Sequence, residues 1–337
     1  MDEPFAPIYV LLSDLTCVKN RFLPREIIRK NHLSFTGNFL LCKEHLEKEK
    51  NMKLYSIESG NFKLDGGAMF GVVPKVLWNK TNPADANNQI DLGARLLLIE
   101  EGCRLILIDT GMGTKQSDKF FGYYALWGNN SLETSLAKHG FHPDDITDVF
   151  LTHLHFDHVG GAVNWNANRT GYVNAFKNAR YWSNEAHWNW ATNPNAREKA
   201  SFLPENILPI KESGALHFIE RNDSDLLLET DLGFSIFFAD GHTDKQMIPI
   251  LNYQGRKLAF TADLLPTAGH IPLPYVMGYD TRPLLTLSEK EKFLNMAADE
   301  NWLLFLEHDA HNEIITVQHT EKGIRLNEIL HASDILI

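Results

Sequence analysis

The chain has 337 residues, of which 44% are hydrophobic and 22% charged, which is the composition of an ordinary globular protein with a large core. Its formal net charge of −11 repels phosphate groups and anionic lipids, and this excludes non-specific binding to nucleic acid or to a membrane surface. Three cysteines are too few for a disulfide framework, and the start Met-Asp-Glu-Pro has no basic leader, so we expect a cytoplasmic protein.

The first 51 residues differ from the rest of the chain. They lack a sustained periodicity and end in a run of charged residues, whereas Met52 opens a segment typical of a first strand. We therefore predict that residues 1–51 are an N-terminal extension, either disordered or upstream of the working start, and that residues 52–337 form one catalytic domain. A regulatory or dimerising arm is the alternative for residues 1–51, and a homodimer is compatible with the sequence.

Residues 65–78 combine glycines with large apolar side chains. Glycines give the backbone freedom, and Met69, Phe70 and Trp78 supply apolar area. Two interpretations stay open here: the segment forms the wall or lid of an apolar pocket, or these side chains join the core.

A hairpin is predicted from residues 94–99 and 104–109. Its second strand ends in Asp109-Thr-Gly, where catalytic groups and the residues that orient them usually lie in a layered α/β domain. Asp109 can cap a turn, orient a metal-bound histidine or bind a metal directly, and we favour the orienting role.

The stretch from residue 151 to residue 161 carries the chemistry of the chain. It follows a short apolar run and places His153, His155, Asp157 and His158 within six residues. A packed interior does not accept so many imidazole and carboxylate groups without a cation. We interpret the stretch as a metal-binding loop.

Three later strands each end in a residue that commonly binds metal, which is what a metal site on a rigid scaffold requires. Two divalent ions a few ångströms apart need six or seven ligands and a bridging group. We predict that one ion is bound by His153, His155 and His242, that the other is bound by Asp157, His158 and His308, and that Asp263 bridges both.

In this order, the motifs Asp109-Thr-Gly, His153-x-His155-x-Asp157-His158, Gly-His242-Thr, Ala-Asp263 and Glu-His308-Asp resemble the five motifs of the metallo-β-lactamase superfamily. The resemblance covers residues 52–337. It implies an α/β fold, a four-layer αββα sandwich with two mixed β-sheets and the metals at one end of the sheets.

The resemblance also narrows the chemistry. Flavodiiron relatives have glutamate at the position of His155, Asp157 favours a hydrolase, and the antibiotic-degrading branch uses a cysteine ligand that is absent near His242 and Asp263. Residues 64–75 and 152–158 are similar to the quorum-quenching N-acyl-homoserine lactonase branch.

Similarity to that branch implies a lactonase that uses two divalent ions, most commonly zinc. It also implies that a metal-bridging hydroxide attacks a small-molecule lactone or ester. Asp157 and Asp263 would assist catalysis. The acyl tail would lie on an apolar wall, for which the candidates are Met69, Phe70, Trp78 and Phe156.

Two departures from the branch keep other functions open. The better-known lactonases carry a substrate-binding tyrosine where this chain has Pro266, and we expect His270 to take its place. The histidine that often follows Gly-His-Thr-Pro-Gly is replaced by Gln246. The alternatives are an ester, thioester or organophosphate hydrolase of the same fold and, more remotely, a non-catalytic metal-binding protein.

Overall fold

The computed structural model describes residues 52–221, 224–228 and 230–336, so the predicted extension at residues 1–51 lies outside the described part. The strands are β1 Lys53–Asp65, β2 Gln89–Glu101, β3 Arg104–Ile108, β4 Asp148–Phe150, β5 Val163–Trp165, β6 Tyr172–Asn174, β7 Arg180–Ser183, β8 Leu216–Phe218, β9 Leu226–Leu227, β10 Ser235–Ala239, β11 Gln246–Tyr253, β12 Arg256–Phe260, β13 Leu303–Phe305, β14 Ile314–Thr320 and β15 Gly323–Leu330.

The helices are mostly short, apart from one near the C-terminal end of the described residues. They are α1 Gly66–Phe70, α2 Lys75–Trp78, α3 Asp118–Gly122, α4 Leu132–Lys138, α5 Phe156–Val159, α6 Glu185–Thr192, α7 Pro204–Glu212, α8 Pro283–Asp299 and α9 Ala332–Ile335, with 3-10 turns at Pro143–Asp145, Gly160–Ala162, Ala262–Leu264 and Ala268–His270. Within the described residues, no helix is long and apolar enough to cross a membrane.

Two mixed sheets carry the fold. The first has the strand order β1-β2-β3-β4-β7-β8, and the second has the order β15-β14-β13-β12-β11-β10-β9. In the first sheet β1, β2 and β3 pair antiparallel, and β3, β4, β7 and β8 pair parallel. In the second sheet only β12 and β13 are parallel neighbours.

The side chains of β2 show how the layers are stacked. Successive residues of a strand point to opposite faces. Leu97 and Ile99 join a core that contains the strands of the second sheet, whereas Leu96 and Leu98 join a separate core with the helix residue Leu136. Because both faces of β2 are covered, its sequence is a nearly continuous apolar run.

Helices cover the outer faces of both sheets. Helix α4 packs against β1. On the second sheet, Phe293 of α8 packs on Phe237 of β10, with ring centroids 5.6 Å apart. The molecule is therefore the four-layer αββα sandwich with two mixed sheets that the motifs predict.

Several local expectations are corrected. The sequence predicts a glycine-rich loop over residues 65–78, but this segment contains α1 and α2. The Asp65 side chain caps α1 by accepting a hydrogen bond from Ala68 N. The sequence predicts a helix over residues 288–299 with Ser288 as its cap, but helix α8 begins five residues earlier, at Pro283, since proline fits a first helical turn.

Candidate metal centre

The candidate ligands lie at one edge of the two sheets because the strands that precede them run in the same direction. In the first sheet β3 and β4 are parallel, and in the second sheet β10, β12 and β13 share one direction. The chain leaves β4 into the loop of His153 and leaves β10, β12 and β13 just before His242, Asp263 and His308. Hydrogen bonds from Gly93 N and Arg95 N of β2 to the carbonyls of His308 and Glu307 join the two sheets beside this edge.

The first group of ligand atoms comes from His153, His155, His242 and Asp263, all of them buried. His155 Nδ1 lies 3.1 Å from His153 Nε2 and 3.1 Å from His242 Nε2. Asp263 Oδ2 lies 3.0 Å from His242 Nε2 and 3.7 Å from His153 Nε2. Nitrogen ligands roughly 2.0 Å from a tetrahedral zinc ion lie about 3.3 Å from one another, so these spacings fit one ion.

The second group comes from Asp157, His158 and His308. The two Nε2 atoms of His158 and His308 are 3.1 Å apart, and Asp157 Oδ2 lies 3.8 Å from His308 Nε2. Asp263 reaches this group as well, since its Oδ1 lies 3.1 Å from His308 Nε2 and its Oδ2 lies 3.6 Å from His158 Nε2. Asp263 therefore lies between the two groups, in the position of a bridging ligand.

Unsatisfied buried atoms and shifted pKa values both indicate that the cluster needs cations. Within the described residues His155 Nε2 and Asp263 Oδ1 are buried without a hydrogen-bond partner. Burial lowers the pKa of His242 and His308, but the charge of Asp263 outweighs it and raises their pKa values to about 10 and about 9. Burial raises the pKa of Asp263, yet the same histidines hold it well below its usual range. Divalent ions would supply the positive charge that protons supply in their absence, so the residues fit a two-metal site.

The ring nitrogens that face away from these groups contact the surrounding protein. The Nδ1 atoms of four histidines have partners at 2.9–3.1 Å: Thr152 Oγ1 for His153, Asp109 Oδ2 for His158, Asp280 Oδ1 for His242 and the Gly93 carbonyl for His308. His155 is turned the other way, since its Nδ1 faces the ligands and its Nε2 lies 3.5 Å from Glu198 Oε1. Such partners fix the tautomer and orientation of a metal-binding imidazole.

Asp109 lies where it can orient His158. Its Oδ1 accepts a hydrogen bond from Thr152 N, and its Oδ2 accepts one from Thr152 Oγ1 and lies 3.0 Å from His158 Nδ1. Glu307 Oε2 lies 3.0 Å from the same nitrogen, and burial, opposed by the charge of His158, raises the pKa of Glu307 to about 8. Asp109, His158 and Glu307 could themselves surround an ion. They share the outer nitrogen of His158, so we interpret them as a hydrogen-bonding set behind the second group.

A cavity of about 390 Å³ opens onto both groups. Asp157, Asp263, His155, His242 and His308 contribute to its lining at the metal end. Its apolar wall consists of Leu64, Met69, Leu92, Phe156 and Met277, and its other polar residues include Tyr124, Arg197, Glu198, Ser201 and Tyr279. Met69 and Phe156 therefore lie where the sequence predicts the pocket wall.

Three residues expected at the pocket do not line this cavity. Phe70 and Trp78 are fully buried and stack on each other, with ring centroids 5.3 Å apart. His270 stacks on the other side of Phe70 at 4.2 Å, and its nitrogens contact Thr267 Oγ1 and the Met69 carbonyl. The expectation is corrected for all three, because these rings form the core behind the cavity wall.

Other residues of the site carry no motif that sequence reasoning could use. Asp280 and Glu198 contact ligand histidines from segments far away in the chain, and Tyr279 reaches the cavity from the loop before α8. His187, which the sequence assigns to packing, accepts a hydrogen bond from Leu154 N at 2.9 Å inside the metal-binding loop. Only Glu307 had a usable signal, since it lies directly before His308.

Comparisons with known proteins agree with this geometry. Residues 96–308 match the family model of the metallo-beta-lactamase superfamily. An N-acyl homoserine lactonase of Bacillus cereus is 24% identical over 273 residues, which is 77% of this chain and 94% of the relative. An N-acyl homoserine lactonase of Bacillus thuringiensis is 24% identical over 275 residues, with the same coverage of both chains.

Solved structures share the fold. A probable metal-dependent hydrolase from Staphylococcus aureus superposes with a TM-score of 0.73 at 29% identity, covering 83% of this chain and 99% of the other. AidC, a dizinc quorum-quenching lactonase solved with a product, superposes with a TM-score of 0.66 at 23% identity, covering 83% and 96%. The family match spans more than half of the chain and contains every candidate ligand. The chain therefore belongs to the metallo-beta-lactamase superfamily, and it is a metal-dependent hydrolase.

Proposed function

We propose that this protein is a two-zinc lactonase that opens the ring of N-acyl homoserine lactones and thereby quenches quorum signalling. One observation carries the proposal: the two oxygens of Asp263 face two groups of ligand atoms at the end of a cavity that also has an apolar wall. The relatives named N-acyl homoserine lactonase, to which the chain is similar over most of its length, support this substrate class. The cytoplasmic location and a homodimer stay predictions.

The polar and apolar parts of the cavity suit the two ends of such a substrate. Two bound divalent ions would supply a Lewis acid for the carbonyl group and a source of hydroxide at neutral pH. Met69, Phe156 and Met277 provide apolar area for an acyl chain. Asp157 and Asp263 are carboxylates that can accept a proton from the attacking water and return it to the alkoxide that is released when the ring C–O bond breaks.

Glu198 adds a negative charge to the same cavity. Burial raises the pKa of Glu198, but the nearby His155 ring and the hydrogen bond from Thr243 outweigh it and lower the pKa to about 2. The carboxylate therefore stays ionised at neutral pH and repels anions. An uncharged lactone avoids this repulsion.

The test is hydrolysis of N-hexanoyl and N-dodecanoyl homoserine lactone by zinc-loaded protein, followed by the acid that is released. We expect turnover that stops on chelation and returns with zinc. His155→Ala should lose it, because it removes a ligand, whereas His142→Ala should keep it, because that side chain is exposed and does not line the cavity.

Aryl esters and phosphotriesters serve as parallel substrates. If zinc-loaded protein with two bound ions leaves both lactones intact but hydrolyses one of these, the lactonase proposal is wrong and the substrate belongs to that class. Full lactonase activity in metal-replete His155→Ala protein would contradict the assigned ligand set.

A further inference from the structure

Glu198 is a buried carboxylate that the sequence does not assign to the metal site. It lies on the turn that follows α6, and its side chain is 3% exposed. Ser201 of the same turn accepts a hydrogen bond from Phe156 N at 2.9 Å, so the turn is attached to the helix that carries Asp157 and His158. Its position beside His155 is therefore fixed by the backbone.

The neighbours of Glu198 are all hydrogen-bond donors. Thr243 Oγ1 donates to Oε1 at 2.6 Å, Trp190 Nε1 donates to Oε2 at 2.8 Å, and Asn195 Nδ2 also donates to Oε2. The fourth neighbour is His155 Nε2, 3.5 Å from Oε1. Only an ionised carboxylate accepts from four donors, since an amide presents one oxygen and one NH₂ group.

The orientation of the His155 ring explains why an acceptor is needed at the position of Glu198. Its Nδ1 lies 3.1 Å from the Nε2 atoms of both His153 and His242, so Nδ1 is the atom that would hold an ion. A neutral imidazole that binds through Nδ1 carries its proton on Nε2. Glu198 Oε1 lies 3.5 Å from that nitrogen, and within the described residues Nε2 makes no regular hydrogen bond.

We propose that Glu198 is the positioning residue for His155: it accepts the Nε2 proton, fixes the tautomer that leaves Nδ1 free, and thereby strengthens the binding of one of the two ions. Four histidines of the cluster present Nε2, and their outer partners are a hydroxyl, a backbone carbonyl and the carboxylates of Asp109 and Asp280. Glu198 completes this set for the one histidine that is turned around. The inference concerns metal affinity and needs no substrate, so it stands or falls independently of the proposed lactonase activity.

The experiment is a zinc titration of metal-free protein in competition with a chromophoric chelator, for the wild type, Glu198→Gln and Glu185→Gln. We expect Glu198→Gln to lower the affinity for one of the two ions by about 10- to 100-fold, while the other ion stays bound as in the wild type. Cobalt absorption spectra should show the change at one site only. Glu185 is an exposed carboxylate at the start of α6, so its variant should bind both ions normally.

Glu198→Gln protein that folds and binds both ions with wild-type affinity would overturn the inference. If the Glu198→Gln variant does not fold, a measurement on the wild type tests the same inference. In zinc-loaded protein, nitrogen-15 spectra should show the His155 proton on Nε2 and in slow exchange with water. A proton on Nδ1, or rapid exchange from Nε2, would exclude Glu198 as its acceptor.

Discussion

We expect Tyr279 to donate a hydrogen bond to a substrate in the cavity. Within the described residues its hydroxyl has no hydrogen-bond partner, and it lines the cavity together with Asp157 and Asp263. Burial, followed by the charges of Asp157 and Asp65, raises the pKa of Tyr279 to about 12, so the phenol stays protonated and can donate at neutral pH. This gives the site a phenol although Pro266 occupies the position of the lactonase tyrosine.

The loop that carries Tyr279 is attached on three sides. Gly278 N donates to the Ala68 carbonyl at 2.8 Å, Arg197 donates to the Gly278 carbonyl, and Asp280 Oδ1 lies 2.9 Å from His242 Nδ1. A donor on a fixed loop loses little conformational entropy when a substrate binds. The same loop therefore contributes to the metal site and to the cavity.

Tyr279→Phe tests the contact of this phenol with the substrate. A neutral hydrogen bond contributes about 1 kcal/mol, so we expect kcat/KM for the lactone to fall about fivefold, mainly through KM, with both ions still bound. Steady-state kinetics and zinc analysis measure the two effects. Tyr123→Phe is the matched control, because Tyr123 is 64% exposed and does not line the cavity. Unchanged kinetics in Tyr279→Phe would exclude the contact.

His270 shows the limit of reasoning from nearness in sequence. It lies four residues after Pro266, and this made it a candidate for the missing tyrosine. Three-dimensional packing instead places its ring against Phe70, and burial, opposed by a hydrogen bond to the Met69 carbonyl, lowers its pKa to about 4. The neutral ring is part of the core, and only the packing of residues far apart in the chain distinguishes this role from a catalytic one.

At the scale of elements, the ligand-bearing helix α5 depends on two glycines that follow it. A Cβ on Gly160 would lie 2.1 Å from the Met112 carbonyl oxygen, and a Cβ on Gly161 would lie 2.2 Å from the Thr110 carbonyl oxygen. Thr110 N and Oγ1 both donate to the carbonyl of His158 at 2.8 Å. The glycines thus allow α5 to pack directly on the loop after β3.

Gly160→Ala should push α5 away from this loop. Overpacking of a rigid contact costs about 1–3 kcal/mol, and the shift of His158 should also weaken zinc binding. Urea unfolding of the metal-free protein and zinc titration measure the two effects. A Cβ on Gly122 meets no atom within 4 Å, so Gly122→Ala is the matched control. If the two variants have equal stability and equal zinc affinity, the contact between α5 and the loop after β3 accommodates the added methyl group.

The metal ligands at the ends of strands were predictable, because an apolar run followed by His or Asp is a pattern of neighbouring residues. The turn that carries Glu198 was not, since its only relation to His155 is spatial. Caps were missed for a related reason. The sequence predicts a helix from about Ser131 with Asn130 as its cap, but the helix begins at Leu132 and Ser131 caps it by exchanging hydrogen bonds with Thr134. Local patterns therefore indicated the elements, the metal ligands and Asp109, but not the other residues that orient the ligands.

At the scale of the whole molecule, the metal centre joins the two sheets. His153, His155, Asp157 and His158 follow a strand of the first sheet, whereas the remaining three ligands follow strands of the second. No sequence pattern predicts how two sheets pack on each other. Only the recurrence of metal-binding residues at strand ends indicated that the two sheets meet at the metal centre. Ions that bind residues from both sheets bind the folded chain alone, and this couples metal binding to stability.

Removal of the metal should therefore lower the stability of the whole domain. An ion present at about 1,000 times its Kd stabilises the folded state by about 4 kcal/mol, and two ions together should raise Tm by on the order of 10 °C or more. Calorimetry of zinc-loaded and chelator-treated protein measures the difference. Magnesium at the same concentration should not restore Tm, because it prefers oxygen and five of the seven candidate ligands are histidines. If two ions are bound and Tm still equals that of metal-free protein, the ions bind the folded and the unfolded chain equally well, and metal binding is not coupled to folding.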